Sequence, residues 1–213
     1  SKTITVGSGG ETFNAGKNST TAYNGGDSSI ATVGTAVGGG GGGMYGANGA
    51  SGGSGGGGSA GANRPGGSGT QPAPGLGNAG GASSSDTNID YAGGGGGAGS
   101  AGAGFNDGGA GGAGVTSSIT GNSATYAEGG DAGIRNGTTP APGGANTGSG
   151  GGGRGFMQGS NPGSAGGSGI VVVRTQLIST NTISFAQGSG TGGSDSVIVA
   201  YGDSMPAANA PTW

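Results

Sequence analysis

The chain lacks cysteine and histidine entirely, and only 7% of its 213 residues are charged. Without cysteine there is no disulfide or thiolate chemistry, and without histidine a Ser-His-Asp triad cannot form. A structural zinc site would also lack its usual ligands. The six Lys and Arg residues are scattered and the formal net charge is −3, so no basic stripe favours nucleic acid. We therefore predict no enzyme activity, no metal, no cofactor and no nucleic-acid partner.

Long apolar runs are missing as well. No apolar stretch approaches the roughly 20 residues that a membrane-spanning helix needs, so we expect no membrane insertion. The chain begins at Ser1 without a methionine or a signal peptide. We therefore expect a processed, trimmed or partial chain.

Glycine is abundant instead, at 65 of 213 residues. Such a composition is typical of low-complexity, disordered chains. The low charge and the distinct sequences between the glycine runs favour a folded chain, and the absence of a strict Gly-X-Y repeat argues against collagen. The longest run, residues 38–43, consists of six glycines.

The glycine runs predict extended backbone that packs without side chains. Because glycine has no Cβ, two such backbones can approach to van der Waals contact. An extended helix with three residues per turn has no internal hydrogen bonds, so its N–H and C=O groups need partners in neighbouring tracts. The tracts lie near residues 38–43, 52–58, 75–81, 92–104, 108–114, 129–133, 148–153 and 163–169. We predict an irregular or all-β fold of stacked polyglycine II helices with short flanking strands and no α-helix.

The distribution of glycine predicts three regions along the chain. They are an entry β-segment at residues 1–37, a polyglycine II domain with inserted loops at residues 38–174 and a C-terminal β-like extension at residues 175–213. Alternating or β-branched residues predict short strands. The predicted strands are residues 3–6, 28–37, 170–173, 182–187 and 196–201, with a hairpin over residues 115–126. The continuous β-branched run at 170–173 predicts a buried strand that closes the glycine region.

The period of the small residues predicts which tracts are internal. In the tract 108–114, Ala110 and Ala113 recur after three residues and fall on one edge of a three-fold helix. We expect that tract at a face of the bundle, and the pure glycine runs 38–43 and 93–97 in an inner layer. A bulky substitution such as Gly95→Val is expected to be strongly destabilising because an inner layer has no space for it.

Some glycine-rich patterns match catalytic motifs in their letters but lack the structural context that those motifs require. The pattern G-x-G-x-x-G occurs repeatedly but never between a strand and a helix. Residues 49–53 spell the nucleophile elbow G-x-S-x-G, yet the chain has no histidine to serve it. The aspartates are too dispersed to predict a cation site by spacing.

Aromatic and methionine side chains stand at the edges of the glycine tracts. Two interpretations remain open: they seal the ends of the bundle from water, or they form an exposed surface that binds a protein loop or a sugar. The charged residues expected to add polar specificity to such a surface are Arg64, Arg135, Arg154, Asp86 and Asp107. The residues that we predict to contact a receptor are Met44, Tyr45, Asp86, Asp90, Tyr91, Arg154, Phe156 and Met157.

Three blocks of sequence, in the right order, resemble a known family. They are residues 3–43 with Thr3-Ile4-Thr5-Val6-Gly7 and the six-glycine run, residues 112–127 with Gly112-Ala113-Gly114-Val115, and residues 145–174 with Ile170-Val171-Val172-Val173-Arg174. Together they resemble the glycine-rich domain of bacteriophage tail-fibre proteins, and are similar to the distal adhesins of T-even-like phages. The resemblance implies packed polyglycine II helices whose loops at one end bind a surface receptor of the bacterial host.

The resemblance predicts a receptor-binding adhesin at the tip of a phage tail fibre. Its expected partners are a bacterial outer-surface protein or glycan and other tail-fibre or virion subunits, and its expected location is the virion or an extracellular surface. The alternative is a structural subunit of a self-assembling fibre, which the β-like segment after Arg174 favours. An ice-binding protein is a weaker alternative, because the irregular insertions interrupt any flat, regular face.

The order of the tracts predicts where the loops lie. If successive tracts run up and down, residues 44–51 and 82–91 share one end, and residues 59–74 and 105–107 share the other. The end with Tyr45 and Tyr91 is then the expected receptor-binding end.

Overall fold

The computed structural model describes residues 1–11, 23–44, 46–60, 63–71, 76–84, 91–105, 109–133, 144–150 and 168–175, and the backbone of 180–184 and 196–200. The chain divides into two units, Ser1–Val172 and Val173–Trp213. The described part contains no α-helix, and its antiparallel strands are two to five residues long. The fold is irregular and all-β, as the composition predicts.

Three short strands form a sheet near the start of the first unit. Strand β1 is Ile4–Thr5, β2 is Ser28–Ile30 and β3 is Gly34–Ala36, and they are hydrogen-bonded in the order β1-β2-β3. The predicted strand at residues 3–6 is confirmed. The single extended segment predicted for residues 28–37 is wrong: the chain reverses between β2 and β3.

The reversal between β2 and β3 occurs at Thr32, whose φ is 64°. This left-handed conformation is unfavourable for a β-branched residue, so nothing in the residue types of the turn indicated it. The side chain of Lys2 donates to the Thr32 hydroxyl at 2.8 Å. That bond fixes the turn against the segment that precedes β1.

The hairpin predicted over residues 115–126 is confirmed. Strand β4, Val115–Ser117, pairs antiparallel with β5, Ala124–Tyr126. The turn between them contains Gly121 with a φ of 98°, a conformation that glycine adopts without a steric penalty.

The second unit contains a hairpin of two longer strands. Strand β6, Thr180–Ser184, pairs antiparallel with β7, Ser196–Ala200. Both strands overlap the segments predicted from β-branched residues, at 182–187 and 196–201, and the two predictions are confirmed.

The buried strand predicted for residues 170–173 is wrong. These residues form no strand, and Ile170 and Val173 are 39% and 61% exposed. The segment is instead joined to the rest of its unit just before the apolar run, where Gly169 donates its N–H to the carbonyl of Gly7 at 3.0 Å. A β-branched sequence forms a strand only where a neighbouring strand supplies its hydrogen bonds.

Hydrogen bonds between glycine segments repeat after every third residue. Along residues 93–98, successive N–H groups donate to three different segments and then return to the first. The bonds are Gly93 to Gly58, Gly94 to Ala103, Gly95 to Gly130, Gly96 to Gly55, Gly97 to Ser100 and Ala98 to Ala127, at 2.8–3.0 Å. This segment therefore has hydrogen-bonded neighbours in three directions.

The same step of three joins parallel segments. Gly40, Gly43 and Gly46 donate to Ser54, Gly57 and Ala60 at 2.7, 2.8 and 3.4 Å. A period of three with all partners outside the segment is what an extended helix with three residues per turn would show. The polyglycine II conformation itself stays a prediction.

Two tracts that look continuous in the sequence reverse direction. Within residues 92–104, Gly97 donates to Ser100 across a turn and Gly94 donates to Ala103, so the two arms are antiparallel. Within residues 52–58 the reversal is at Gly53 and Ser54, because residues 47–53 run antiparallel to 38–44 whereas 54–60 run parallel to it.

The described segments of the bundle therefore alternate in direction. In chain order they are residues 38–44, 47–53, 54–60, 64–71, 76–84, 91–98, 99–105, 109–114 and 127–133. Each segment is antiparallel to the one before it. The bundle consequently has two ends, and odd-numbered segments finish at the same one.

Side chains contribute little to the interior. The buried apolar residues in the described part are Met44, Ala60, Ala92 and Ala98, and the most deeply buried larger side chains are three serines. Backbone packed against backbone takes the place of an apolar core, so cohesion depends on the hydrogen bonds between segments.

The predicted outer edge of residues 108–114 is confirmed at its alanines. Ala110 and Ala113 are exposed, whereas Gly109 and Gly112 beside them are buried. The prediction that residues 38–43 are an inner layer is only partly right, because Gly39 is exposed while Gly41 and Gly43 are buried.

The expected lack of space at Gly95 does not hold for an added Cβ. Gly95 is half-buried, and the nearest atom to a Cβ added there would be the nitrogen of Gly130 at 3.4 Å, an ordinary contact. At Gly94 and Gly96 an added Cβ would overlap the carbonyl oxygens of Ala110 and Asn78. The free direction at Gly95 points away from the closest neighbouring backbones, which a glycine-only sequence does not reveal.

Candidate functional site

Five segments finish together at one end of the bundle, at Met44, Ala60, Ser84, Phe105 and Gly133. We call this the Met44 end. Gly46 donates its N–H to the carbonyl of Ala60 at 3.4 Å. The arrangement gathers residues that are far apart in the sequence into one surface.

Further backbone bonds extend the Met44 end across the bundle. Asn63 donates to the carbonyl of Ser84 at 2.7 Å, and Ser84 donates to the carbonyl of Tyr91 at 3.3 Å. Phe105 donates to the carbonyl of Ala82 at 3.1 Å. The backbone of this end is therefore held in place by the same hydrogen-bond network as the interior.

The predicted division of loops between the two ends is wrong in part. Met44 and Tyr91 share an end, as expected, but Asn63 and Phe105 lie there too rather than at the opposite end. The reversal near Ser54 adds a segment and moves Asn63 to the Met44 end. The segment 64–71, which lies within the predicted loop 59–74, restores the count before Tyr91, and the reversal near residues 98–100 then moves Phe105.

Two of the predicted receptor-contacting residues belong to the described part of the chain. Met44 is 8% exposed and is one of the few buried apolar side chains, so it packs inside the bundle end. Tyr91 is 40% exposed and presents an aromatic side chain at the Met44 end. The remaining predicted residues lie outside the described residues: Tyr45, Asp86, Asp90, Arg154, Phe156 and Met157.

Buried serines form a polar layer beneath the Met44 end. Ser59, Ser83 and Ser84 are 0–1% exposed. The Ser59 hydroxyl accepts the N–H of Ala47 at 3.0 Å and lies 2.9 Å from the carbonyl oxygen of the same residue, to which it donates. Such a small hydroxyl satisfies backbone groups where the chain turns, at little cost in volume.

Arg64 is a residue of this end that the predicted contact set omits. Its backbone N–H donates to the Ser83 hydroxyl at 2.9 Å, and its carbonyl accepts the Ser83 N–H at 2.9 Å. Its Nη2 lies 3.8 Å from the point that a Cβ on Gly46 would occupy. Its Nε is buried and has no hydrogen-bond partner. In the sequence, Arg64 is recognisable only as an isolated cation beside a glycine tract. That pattern does not indicate which end of the bundle its side chain occupies.

The opposite end carries the β-structure of the first unit, and we call it the sheet end. Strand β3 leads into residues 38–44, and the Gln71 side chain ties the two together. Its Oε1 accepts the Val37 N–H at 2.8 Å, and its Nε2 donates to the Thr35 carbonyl at 3.2 Å. The exposed apolar side chains of the sheet and of the β4–β5 hairpin are Ile4, Val6, Val33, Val115 and Ile119.

Among the described residues, no three acidic side chains gather into a group that could hold a metal ion. The same part of the chain contains no helix with the length and apolar character that crossing a membrane requires.

A bundle of glycine-rich segments joined through their backbones, with turns gathered at its ends, defines a glycine-rich structural domain. The family model of the glycine-rich domain matches residues 1–176. The chain belongs to this family. No curated protein and no solved structure matches the chain.

Proposed function

We propose that this chain is a receptor-binding adhesin at the tip of a phage tail fibre, which recognises a bacterial outer-surface protein or glycan. Membership of the glycine-rich family and the resemblance of residues 3–174 to tail-fibre domains support this function. The observation that carries it is the Met44 end, where the ends of many segments form one surface on a backbone-bonded base. Such a base holds a binding surface in place before the receptor arrives.

A preorganised surface favours adhesion for a physical reason. Ordering flexible side chains and loops on binding costs free energy, about 0.5–1.5 kcal/mol for each mobile side chain. At the Met44 end the backbone from Tyr91 onward is already fixed, because Ser84 donates to the Tyr91 carbonyl and Gly93 donates to Gly58. An exposed aromatic side chain on a fixed backbone is a typical anchor in recognition.

The proposed adhesin performs no catalysis and carries no cofactor. Its second set of partners, other tail-fibre or virion subunits, would contact the sheet end, where the exposed side chains of Ile4, Val6 and Val33 offer apolar area. The Met44 end then faces the host, and the chain acts on the virion or at an extracellular surface.

A structural subunit of a self-assembling fibre is the second candidate function. The exposed apolar residues of the sheet end favour it, because Val33 is 68% exposed and could pack against another subunit. Side chains that cap the edges of the glycine bundle argue against a self-assembling fibre, because they occupy backbone groups that a further subunit would need. Asp27 and Asp131 each accept a backbone N–H, from Gly38 and Gly111, that another glycine segment would otherwise bind.

Attachment of the purified, fluorescently labelled chain to a panel of Gram-negative strains tests the adhesin. Replacing Tyr45 and Tyr91 by Ala should abolish attachment, because it removes the aromatic anchors and leaves the backbone bonds intact. The matched control replaces Val33 and Ile119 by Thr at the sheet end and should attach normally. Attachment lost only in the control would place binding at the other end, and filaments in electron microscopy without attachment would favour the fibre subunit.

A further inference from the structure

The guanidinium of Arg64 is incompletely bonded at the Met44 end. Its Nε is buried and lacks a hydrogen-bond partner. A buried donor without a partner is costly, and more so when the group is charged. Arginine stays protonated in proteins, so the side chain cannot avoid this cost by losing its charge.

The described part of the chain supplies no counter-ion for Arg64. Its carboxylates are Glu11, Asp27, Glu128 and Asp131. Asp27 and Asp131 accept N–H groups of Gly38 and Gly111, at 2.8 and 2.7 Å, and none of the four accepts a bond from the Arg64 Nε.

The backbone of Arg64 is held firmly while its side chain crosses to the next turn. Both backbone groups of Arg64 bond to Ser83, which is 1% exposed. The guanidinium reaches Gly46, where the absence of a side chain and a φ of +71° leave room for Nη2 at the turn. A cation on a fixed backbone with an unpartnered Nε suits the binding of a charged group from outside.

We propose that Arg64 binds an oxyanion, a carboxylate or a phosphate monoester, carried by a saccharide of the receptor. This rests on the proposed adhesin function and names the chemistry that the Met44 end recognises. The edge of the guanidinium formed by Nε and Nη2 presents two parallel donors, the geometry that carboxylates and phosphates accept in pairs. Since Nε is buried in the free chain, binding requires this edge to turn outward, and the anion then gives Nε the partner that it lacks.

The apolar residues favour a saccharide over an acidic protein segment. Among the described residues, the large exposed apolar side chains of the sheet and hairpin lie at the sheet end, whereas Tyr91, at the start of its segment, is exposed at the Met44 end. Protein interfaces usually need a buried apolar centre of several side chains. An exposed aromatic ring and a cation at the same end of the bundle are sufficient for stacking and charge recognition of a single sugar ring.

The proposal can be tested by NMR on the intact chain, through the side-chain Nε–Hε signals of arginine. The chain contains four arginines, and the Arg64 signal is assigned by its loss in Arg64→Lys. Glucuronate and glucose 6-phosphate separate the carboxylate from the phosphate source, with glucose as the neutral control. We expect one or both anions to shift the Arg64 signal saturably and glucose to leave it unchanged. Arg64→Lys should weaken anion binding about tenfold or more, because lysine lacks the paired donors.

The matched control is Arg174→Lys, which alters an exposed arginine outside this site and should leave anion binding unchanged. An Arg64 signal that stays fixed, or equal shifts of all four arginine signals, would overturn the proposal. Binding of an acidic peptide without binding of either sugar would overturn the saccharide assignment. Cell attachment separates this proposal from the adhesin: attachment that persists in Arg64→Lys contradicts only the role of Arg64, whereas a wild-type chain that attaches to no strain contradicts the adhesin.

Discussion

Gly96 donates its backbone N–H to the carbonyl oxygen of Gly55 at 2.8 Å, in the interior of the bundle. Its neighbour in sequence, Gly95, bonds in a different direction, to Gly130 at 3.0 Å. Adjacent glycines of one segment therefore have different surroundings. An added Cβ overlaps the carbonyl oxygen of Asn78 at Gly96 but makes only ordinary contacts at Gly95.

This difference predicts opposite effects for two neighbouring alanine substitutions. Gly96→Ala should lower the free energy of unfolding by about 3 kcal/mol, in the upper part of the range for overpacking, because the overlapping atom is fixed backbone. Gly95→Ala should be neutral or stabilising by about 0.4–1 kcal/mol, since alanine reduces the freedom of the unfolded chain. Urea unfolding of the two variants measures both. Equal losses of stability would contradict the directional packing described for this segment.

Amide hydrogen exchange tests whether the glycine segments form a folded bundle. The N–H of Gly96 is buried and bonded, so it should exchange only on global unfolding, with protection factors of about 10³ or more. The N–H of Gly121 bonds to Ser118 in the exposed β4–β5 turn and should exchange through local opening, with far less protection. Uniformly rapid exchange of all glycine amides would show that the segments are a solvated linker.

Backbone chemical shifts in the same experiment test the polyglycine II assignment. Residues 93–98 should have torsion angles near the extended three-fold values, with φ of about −75° and ψ of about +145°. Torsion angles of a fully extended β-strand would be compatible with the hydrogen-bonded bundle but would contradict the three-fold helix.

Residue types predicted the local elements of this fold better than its connections. Alternating residues correctly indicated β1 and the β4–β5 hairpin, because an alternating pattern reflects the two faces of a strand. The spacing of Ala110 and Ala113 correctly indicated an outer edge, because only the exposed edge of a close-packed segment has room for a methyl group.

The reversals inside glycine tracts could not be predicted in the same way. Gly53-Ser54 and Ala98-Gly99-Ser100 turn the chain, yet their residue types also occur within extended segments such as 54–60. Glycine adopts both conformations at similar cost, so the choice is made by hydrogen bonds to distant segments. The arrangement of Arg64 and Tyr91 at one end depends on those reversals, which is why the sequence did not indicate that these two residues share an end.

Two polar side chains accept hydrogen bonds from one edge of the bundle, at backbone N–H groups that are three residues apart. Asn24 Oδ1 accepts the N–H of Gly41 at 2.9 Å, and Asp27 Oδ1 accepts the N–H of Gly38 at 2.8 Å. They supply the acceptors that a further glycine segment would supply through its carbonyls. Since Gly41 is buried and Gly38 is half-buried, the two acceptors differ in how readily water can replace them.

We expect the loss of either acceptor to destabilise the chain in proportion to that burial. Asn24→Ala leaves the buried Gly41 N–H unpaired and should cost about 1–3 kcal/mol, whereas Asp27→Ala should cost about 0.5–1.5 kcal/mol because water reaches Gly38. Asp27→Asn keeps an acceptor oxygen and is the matched control, expected to lie within about 0.5 kcal/mol of the wild type. Thermal and urea unfolding measure all three variants. If Asp27→Asn is as destabilising as Asp27→Ala, then the charge of Asp27 rather than its acceptor oxygen stabilises this edge.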